Sequence, residues 1–306
     1  MYIMGEPAPV LAAGGGWYKG TTNKMTITEI NLVDTYTPTG GETESWDASA
    51  KNNGSVKAYI NGTKLTIAGN GSGKIMANAN SSSMFYYFQA TTISGLDILD
   101  TSNVTNMTEM FGYCQKLTSL DVSSWNTSNV IDMFGIFEAC YKLTSVGDLS
   151  NWNTSKATNM DLMFYYCPVL TNLNVSNFNT SNVLSMTQMF EGSTLDYLDV
   201  SNWNTSKVTN MSWMFKNCSN LATLDLSNWN TSKVTKMQEM FSGSAVLTKI
   251  YASDLWSTTN VTSSTNMFKD CSKLSGAISY DSGKTDATYA NYTTGYLTYK
   301  AASKEE

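Results

Sequence analysis

Trp203-Asn-Thr-Ser-Lys-Val-Thr-Asn-Met-Ser-Trp-Met-Phe-Lys-Asn-Cys-Ser-Asn-Leu-Ala-Thr-Leu-Asp-Leu-Ser-Asn228 is the stretch that decides the architecture. Its apolar residues Val208, Met211, Met214, Phe215, Cys218 and Leu221 are spaced three, three, one, three and three apart. That is the spacing of one face of a helix with about 3.6 residues per turn. The expectation is a short helix of about two turns, capped at its start by Thr205 or Ser206. From Leu221 the period falls to two. Leu224 and Leu226 then face inward and Thr223, Asp225 and Ser227 outward, as in a half-buried strand. Asn228-Trp229-Asn230-Thr231 opens the next copy as a turn.

The stretch recurs along most of the chain. Its anchoring phenylalanines are Phe85, Phe111, Phe137, Phe164, Phe190, Phe215, Phe241 and Phe268, and subtraction of their numbers gives intervals of 25 to 27 residues. Methionine precedes each of them except Phe137, where Ile136 stands. A period of this size predicts a solenoid, in which each copy buries its apolar face only against its neighbours. The strand positions are Leu96/Ile98, Leu120/Val122, Val146/Leu149, Leu173/Val175, Leu198/Val200, Leu224/Leu226 and Ile250/Ala252. An extra Gly147 in the third predicts a bulge. The expected fold class is an α/β repeat of about eight coils, each a short parallel strand plus a short helix, stacked to roughly 40 Å.

The shared motif is W-N-T-S-x-V-T-x-M-x-x-M-F-x-x-C-x-x-L-x-x-L-D-L-S, found at 125–150, 152–176, 178–201, 203–227 and 229–253 with weaker flanking copies. It resembles the BspA-like leucine-rich repeat family of bacterial surface proteins. The resemblance implies a leucine-rich-repeat solenoid and a role in adhesion and recognition, with diverse targets.

Outside the repeats the reading is coarser. Residues 1–41 read as an arm, with Thr26-Ile-Thr-Glu-Ile-Asn-Leu32 as a candidate strand and attachment to a larger assembly as a candidate role. Residues 42–80 read as a β-rich cap containing a hairpin turned at Asn61-Gly62. The repeats occupy 81–278. Residues 279–306 form a closing strand, with a charged tail from Ala301. The N-terminal stretch lacks a basic and then apolar leader and does not read as a secretory signal. Met4-Gly5 is a weak acylation match, because that glycine does not follow the initiator.

Composition excludes several functions. A net charge of −6 offers no basic patch to replace counterions on a nucleic acid, and none for an anionic membrane surface. No apolar run approaches the roughly 20 residues needed to span a bilayer. The chain has no histidine, the commonest general base, and no catalytic constellation emerges. Cys114, Cys140, Cys167, Cys218 and Cys271 all lie three residues after an anchoring Phe, where other copies hold Phe88, Ser193 and Ser244. The slot reads as a repeated interior position, so neither a disulfide framework nor a metal or cofactor site is expected. The methionine column, Met107 to Met237, reads as core, and the tryptophan column as corner packing with glycan stacking as the alternative.

One row stands out as a candidate binding face. The outward strand residues in succession are Asp97, Asp121, Asp148, Asn174, Asp199, Asp225 and Tyr251. Carboxylates at the roughly 4.7–4.9 Å spacing of parallel strands repel by about 1 kcal/mol per pair in bulk water. They are screened, accept hydrogen bonds from neighbouring coils, or bind a cation or basic ligand. The expected function is non-enzymatic recognition of a cell-surface protein or glycan. The carrier is expected to be a bacteriophage virion, docked through residues 1–41, with a bacterial surface or secreted adhesin as the alternative.

Overall fold

The computed structural model describes residues 7–303. Residues 1–6, with Met4-Gly5, and residues 304–306 of the charged tail lie outside the described residues. The chain divides into two compact units, Met1–Trp152 and Asn153–Glu306.

The first unit opens on a five-stranded sheet. In β1 (Glu29–Val33) the alternation Glu-Ile-Asn-Leu-Val buries Ile30 and Leu32 on one face. The strands β2 (Glu44–Asp47), β3 (Lys57–Asn61) and β4 (Lys64–Ala68) follow, and β3 and β4 form the antiparallel hairpin turned at Asn61-Gly62. β5 (Ile75–Met76) leads into the repeats, and β6 (Thr92–Ser94) joins the sheet, whose order is β2-β3-β4-β1-β6. β1 therefore lies between β4 and β6, parallel to both, so a strand from residues 1–41 shares the sheet of the 42–80 cap. Trp17 is fully buried, stacked 6.0 Å from Phe88, with its indole N–H donating to the Met84 carbonyl at 2.8 Å. This part of the arm packs on the first Met-Phe copy.

The helices expected in the repeats are absent. Among the described residues there is no α-helix, only four 3-10 turns of three or four residues and ten short strands. The leucine-rich-repeat solenoid of strand plus helix is therefore not the fold of this chain. The reason lies beside each anchoring Phe. The residues two before and two after it are left-handed, as Glu109 and Tyr113 (φ 51° and 59°) flank Phe111, and Trp213 and Asn217 (φ 59° and 56°) flank Phe215. A non-glycine residue costs roughly 1–2 kcal/mol in that region, and each one ends the right-handed turn before a helix can form.

Hydrogen bonds between copies offset the cost. In the second unit, the Met211, Trp213, Phe215 and Asn217 N–H groups donate to the Lys236, Gln238, Met240 and Ser242 carbonyls at 2.8–2.9 Å. The intervening Met214 and Lys216 N–H groups bond back three residues, to Met211 and Trp213. The first unit repeats the scheme, with Met107, Glu109, Phe111 and Tyr113 donating to Asp132, Phe134, Ile136 and Glu138. Two linked turns reproduce the apolar spacing of a two-turn helix, so Val208, Met211, Met214, Phe215, Cys218 and Leu221 are all buried as expected. The backbone differs from a helix in its left-handed residues and in alternate N–H groups that point to the next copy.

Strands in the repeats are correspondingly short. In the second unit β8 (Thr223–Asp225), β9 (Lys249–Ala252) and β10 (Thr298–Tyr299) form a parallel sheet in the order β10-β9-β8. In the first, β7 (Leu99–Asp100) pairs only with β5. Elsewhere copies meet by single bridges, Asn80 to Asn106 to Asp132 in one unit and Asn159 to Ser185 to Asn210 to Lys236 to Ser263 in the other. Phe164, Phe190, Phe215, Phe241 and Phe268 stack at ring separations of 5.6–5.9 Å, closed by Tyr296 edge-on to Phe268.

All five cysteines are free and buried. Their slot is a donor position: Cys114 and Cys271 donate to the Phe85 and Phe241 carbonyls at 3.0 Å, and Ser244 donates to Phe215 at 2.7 Å. Burial pushes the Cys114 and Cys271 thiols up to about 12 from an ordinary 9.0, and raises Cys218 as well. A folded-state value above the unfolded one stabilises fully below the unfolded pKa and is lost as pH rises through the folded one. Unfolding midpoints in urea should therefore fall between pH 9 and 12, and iodoacetamide at pH 8 should label no cysteine before unfolding. Rapid labelling of the native protein would contradict the buried slot.

Candidate functional site

In each unit the outward strand residues reach the surface, and the five from Asp121 to Asp225 are tied into their own turns. Oδ1 of Asp121 accepts from the Ser123 N–H at 3.0 Å and the Ser123 hydroxyl at 2.6 Å. Asn174 does the same with Ser176, Asp199 with Ser201 and Asp225 with Ser227. At Asp148 the two Ser150 donors take one oxygen each. Ser227 is itself buried rather than outward. The partners are local, two residues ahead, and not donors from neighbouring copies. The hydrogen bonds from Ser123 and Ser150 hold the Asp121 and Asp148 carboxyls below the usual carboxylate value. Burial would raise Asp225, but hydrogen bonds from Lys300 and Ser227 outweigh it and leave it lowered.

The row is not uniform. Asp97 lies in the 3-10 turn Leu96–Ile98. The bridge from Thr92 to Ser119 puts Ser94 level with Asp121. The Trp125 and Trp152 indoles donate to the carbonyls of Leu96 and Val122, which marks Leu96 and Val122 as equivalent. By that equivalence Asp97 is level with Ser123, two residues beyond the place of Asp121, yet it and Asp121 line the same cleft with Ser94, Gly95, Ser123 and Ser124. In the second unit Asp225 and Tyr251 are direct partners on β8 and β9. Both are covered by Lys300, whose ammonium pairs with Asp225 Oδ2 and lies 5.8 Å from the Tyr251 ring centre. The Lys300 contact had no signal in the repeat. The Ser contact did, because serine stands two residues after every Asp or Asn from 121 to 225 in the row.

Alanine at Asp199 removes an acceptor for two donors and should cost about 1 kcal/mol, whereas asparagine keeps Oδ1 and should change stability by less than half of that. Urea titration of the two variants measures the difference. Equal losses would mean that charge, not the turn, matters at this position.

The tryptophans are not a displayed ladder. Trp125, Trp152, Trp203 and Trp229 are at most 2 % exposed. The Trp203 and Trp229 indoles donate to the Val175 and Val200 carbonyls, and Trp256 to Ala290. Stacking of glycans on this column is thereby excluded. Among the described residues no group of three or more His, Cys, Asp or Glu is placed to hold a metal ion, and no helix is long and apolar enough to cross a membrane.

A family model described as "Mycoplasma protein of unknown function, DUF285" matches residues 79–198 and again residues 193–295. The chain belongs to this family. The DUF285 region takes in every Met-Phe copy from Phe85 to Phe268, together with the whole candidate row. No curated protein and no solved structure matches the chain.

Proposed function

We propose that the DUF285 region is a non-enzymatic recognition module that binds a macromolecule, protein or glycan, at a cell surface. The observation that carries this reading is the outward row itself. Its side chains are fixed by turn hydrogen bonds, while Oδ2 of Asp121 and Asp199 stays free to accept from a ligand. Fixed acceptors on a backbone bonded from copy to copy lose little freedom on binding, which favours affinity. The motif's resemblance to the BspA-like surface proteins supports a bacterial surface adhesin.

Fractionation of a culture of the source tests the reading. Cell envelopes, phage-like particles and soluble contents would be separated on a density gradient and the chain sought by mass spectrometry. Presence in envelopes, with protease sensitivity on intact cells, is the expected result. Presence in particles would move the same recognition role to a virion docked through residues 1–41. Confinement to the soluble contents would overturn surface recognition.

A further inference from the structure

We propose that the cleft between Asp97 and Asp121 is a binding site for a lysine side chain of an extended partner segment. This rests on the recognition reading and names its ligand chemistry. The template is internal. At Asp225 one carboxylate oxygen is taken by the Ser227 N–H and hydroxyl, and the other by the Lys300 ammonium. Lys300 reaches it from an extended segment that continues β10, its N–H bonded to the Ala252 carbonyl at 2.9 Å, and Ser303 N–H bonds to Asn228 Oδ1 at 2.7 Å. The surface thus accepts a strand that delivers a lysine to its aspartate.

Asp121 repeats the acceptor half of that arrangement. Oδ1 is held by Ser123 as Asp225 is held by Ser227, and Oδ2 carries no bond. Gly147 on the next copy, at φ +83°, makes room, since a Cβ there would lie 2.3 Å from Asp121 Oδ1. The site is concave. The cleft measures about 220 Å³ and is lined by Ile93, Leu96, Ser94, Ser123 and the two aspartates. Small-molecule sites run to roughly 300–1,000 Å³, so this space suits one side chain. Its apolar floor accommodates the methylene stem, while two carboxylates and the serine hydroxyls meet the ammonium. Lys74 donates to the Asp97 backbone carbonyl from outside the cleft and makes no ion pair with the Asp97 carboxylate.

The test uses the full chain and a fluorescein-labelled peptide, Ser-Lys-Ser-Lys-Ser-Lys-Ser, whose lysines share one face when extended. Anisotropy should show binding that weakens with salt, and none for the glutamate analogue. Asp97→Asn/Asp121→Asn should weaken it at least tenfold with an unchanged melting temperature, since asparagine keeps the Ser123 bond. The control Asp196→Asn/Asp270→Asn removes the same charge from the second unit, outside the row, and should change affinity less than twofold. Equal weakening by both pairs would reveal diffuse attraction to an acidic protein and overturn the site. So would wild-type affinity in Asp97→Asn/Asp121→Asn, or no binding by the wild type. If the chain is found on envelopes while the peptide result is negative, surface recognition stands and only the lysine site falls.

Discussion

Alanine in place of Phe215 is expected to destabilise the second unit by about 3–5 kcal/mol. The ring is fully buried and stacks 5.9 Å from Phe190 and 5.8 Å from Phe241, with Trp229 at 6.1 Å. Truncation removes apolar burial and leaves a hole that neighbours cannot fill. Their backbones are pinned on both sides by bonds such as Phe190 N–H to Met214 O and Phe215 N–H to Met240 O. Leucine should restore part of the loss. Thermal or urea unfolding measures both, and a Phe215→Ala variant as stable as the parent would contradict the packed aromatic stack.

Alanine at Gly95 should be as damaging to the first unit, at about 2–5 kcal/mol from steric overlap and left-handed strain together. Gly95 has φ +73° and joins β6 to the 3-10 turn Leu96–Ile98. A Cβ there would lie 2.0 Å from the Leu32 carbonyl oxygen, an atom of strand β1, which is paired on both sides. No side-chain rotation relieves contact with a backbone oxygen, so β6 or β1 must shift. By contrast, alanine at Gly16, which meets nothing within 4 Å and has no positive φ, should be close to neutral. Comparable losses at the two positions would show that chain entropy, not the close approach, governs glycine here.

The spacing of Val208, Met211, Met214, Phe215, Cys218 and Leu221 correctly marks the interior residues, because burial depends on which side chains converge. It misassigns the backbone, because two linked turns and two turns of helix share that spacing. What separates them is the left-handed pair around each Phe. Its positions hold Ser, Glu, Tyr, Ala, Leu, Gln, Trp, Asn and Asp as well as Gly, so residue type gives no warning. The Asn61-Gly62 hairpin was legible because its turn chemistry is local. The place of β1 between β4 and β6 was not, since it depends on pairing across more than 30 residues. At the candidate face, Asp121, Asp148, Asn174, Asp199 and Asp225 were visible as a row. Their serine partners also stand in the sequence, two residues on, although the expectation there ran to screening, hydrogen bonds from neighbouring coils, or a bound cation or basic ligand, and not to this local contact. Asp97 was placed by counting, and the longer link Ser94-Gly95 moved it off the column and into a cleft.

The absence of helix also shapes how the chain reaches this state. A helical repeat can begin from bonds four residues apart. Here the bonds that join copies span 24 to 30 residues, as in Thr180 to Asn204 and Cys271 to Phe241. Closing a loop of that length costs about 3 kcal/mol of chain entropy before the first rung is made. Each later rung grows from one already in place, so initiation rather than growth limits the rate, and such a topology folds slowly for its size. The β3–β4 hairpin is the exception, with its turn at Asn61-Gly62 and a sheet of its own to template β1 and β6. In the first unit, order is therefore expected to spread from the hairpin end towards Phe111 and Phe137, which pulse-labelling hydrogen exchange during refolding would measure.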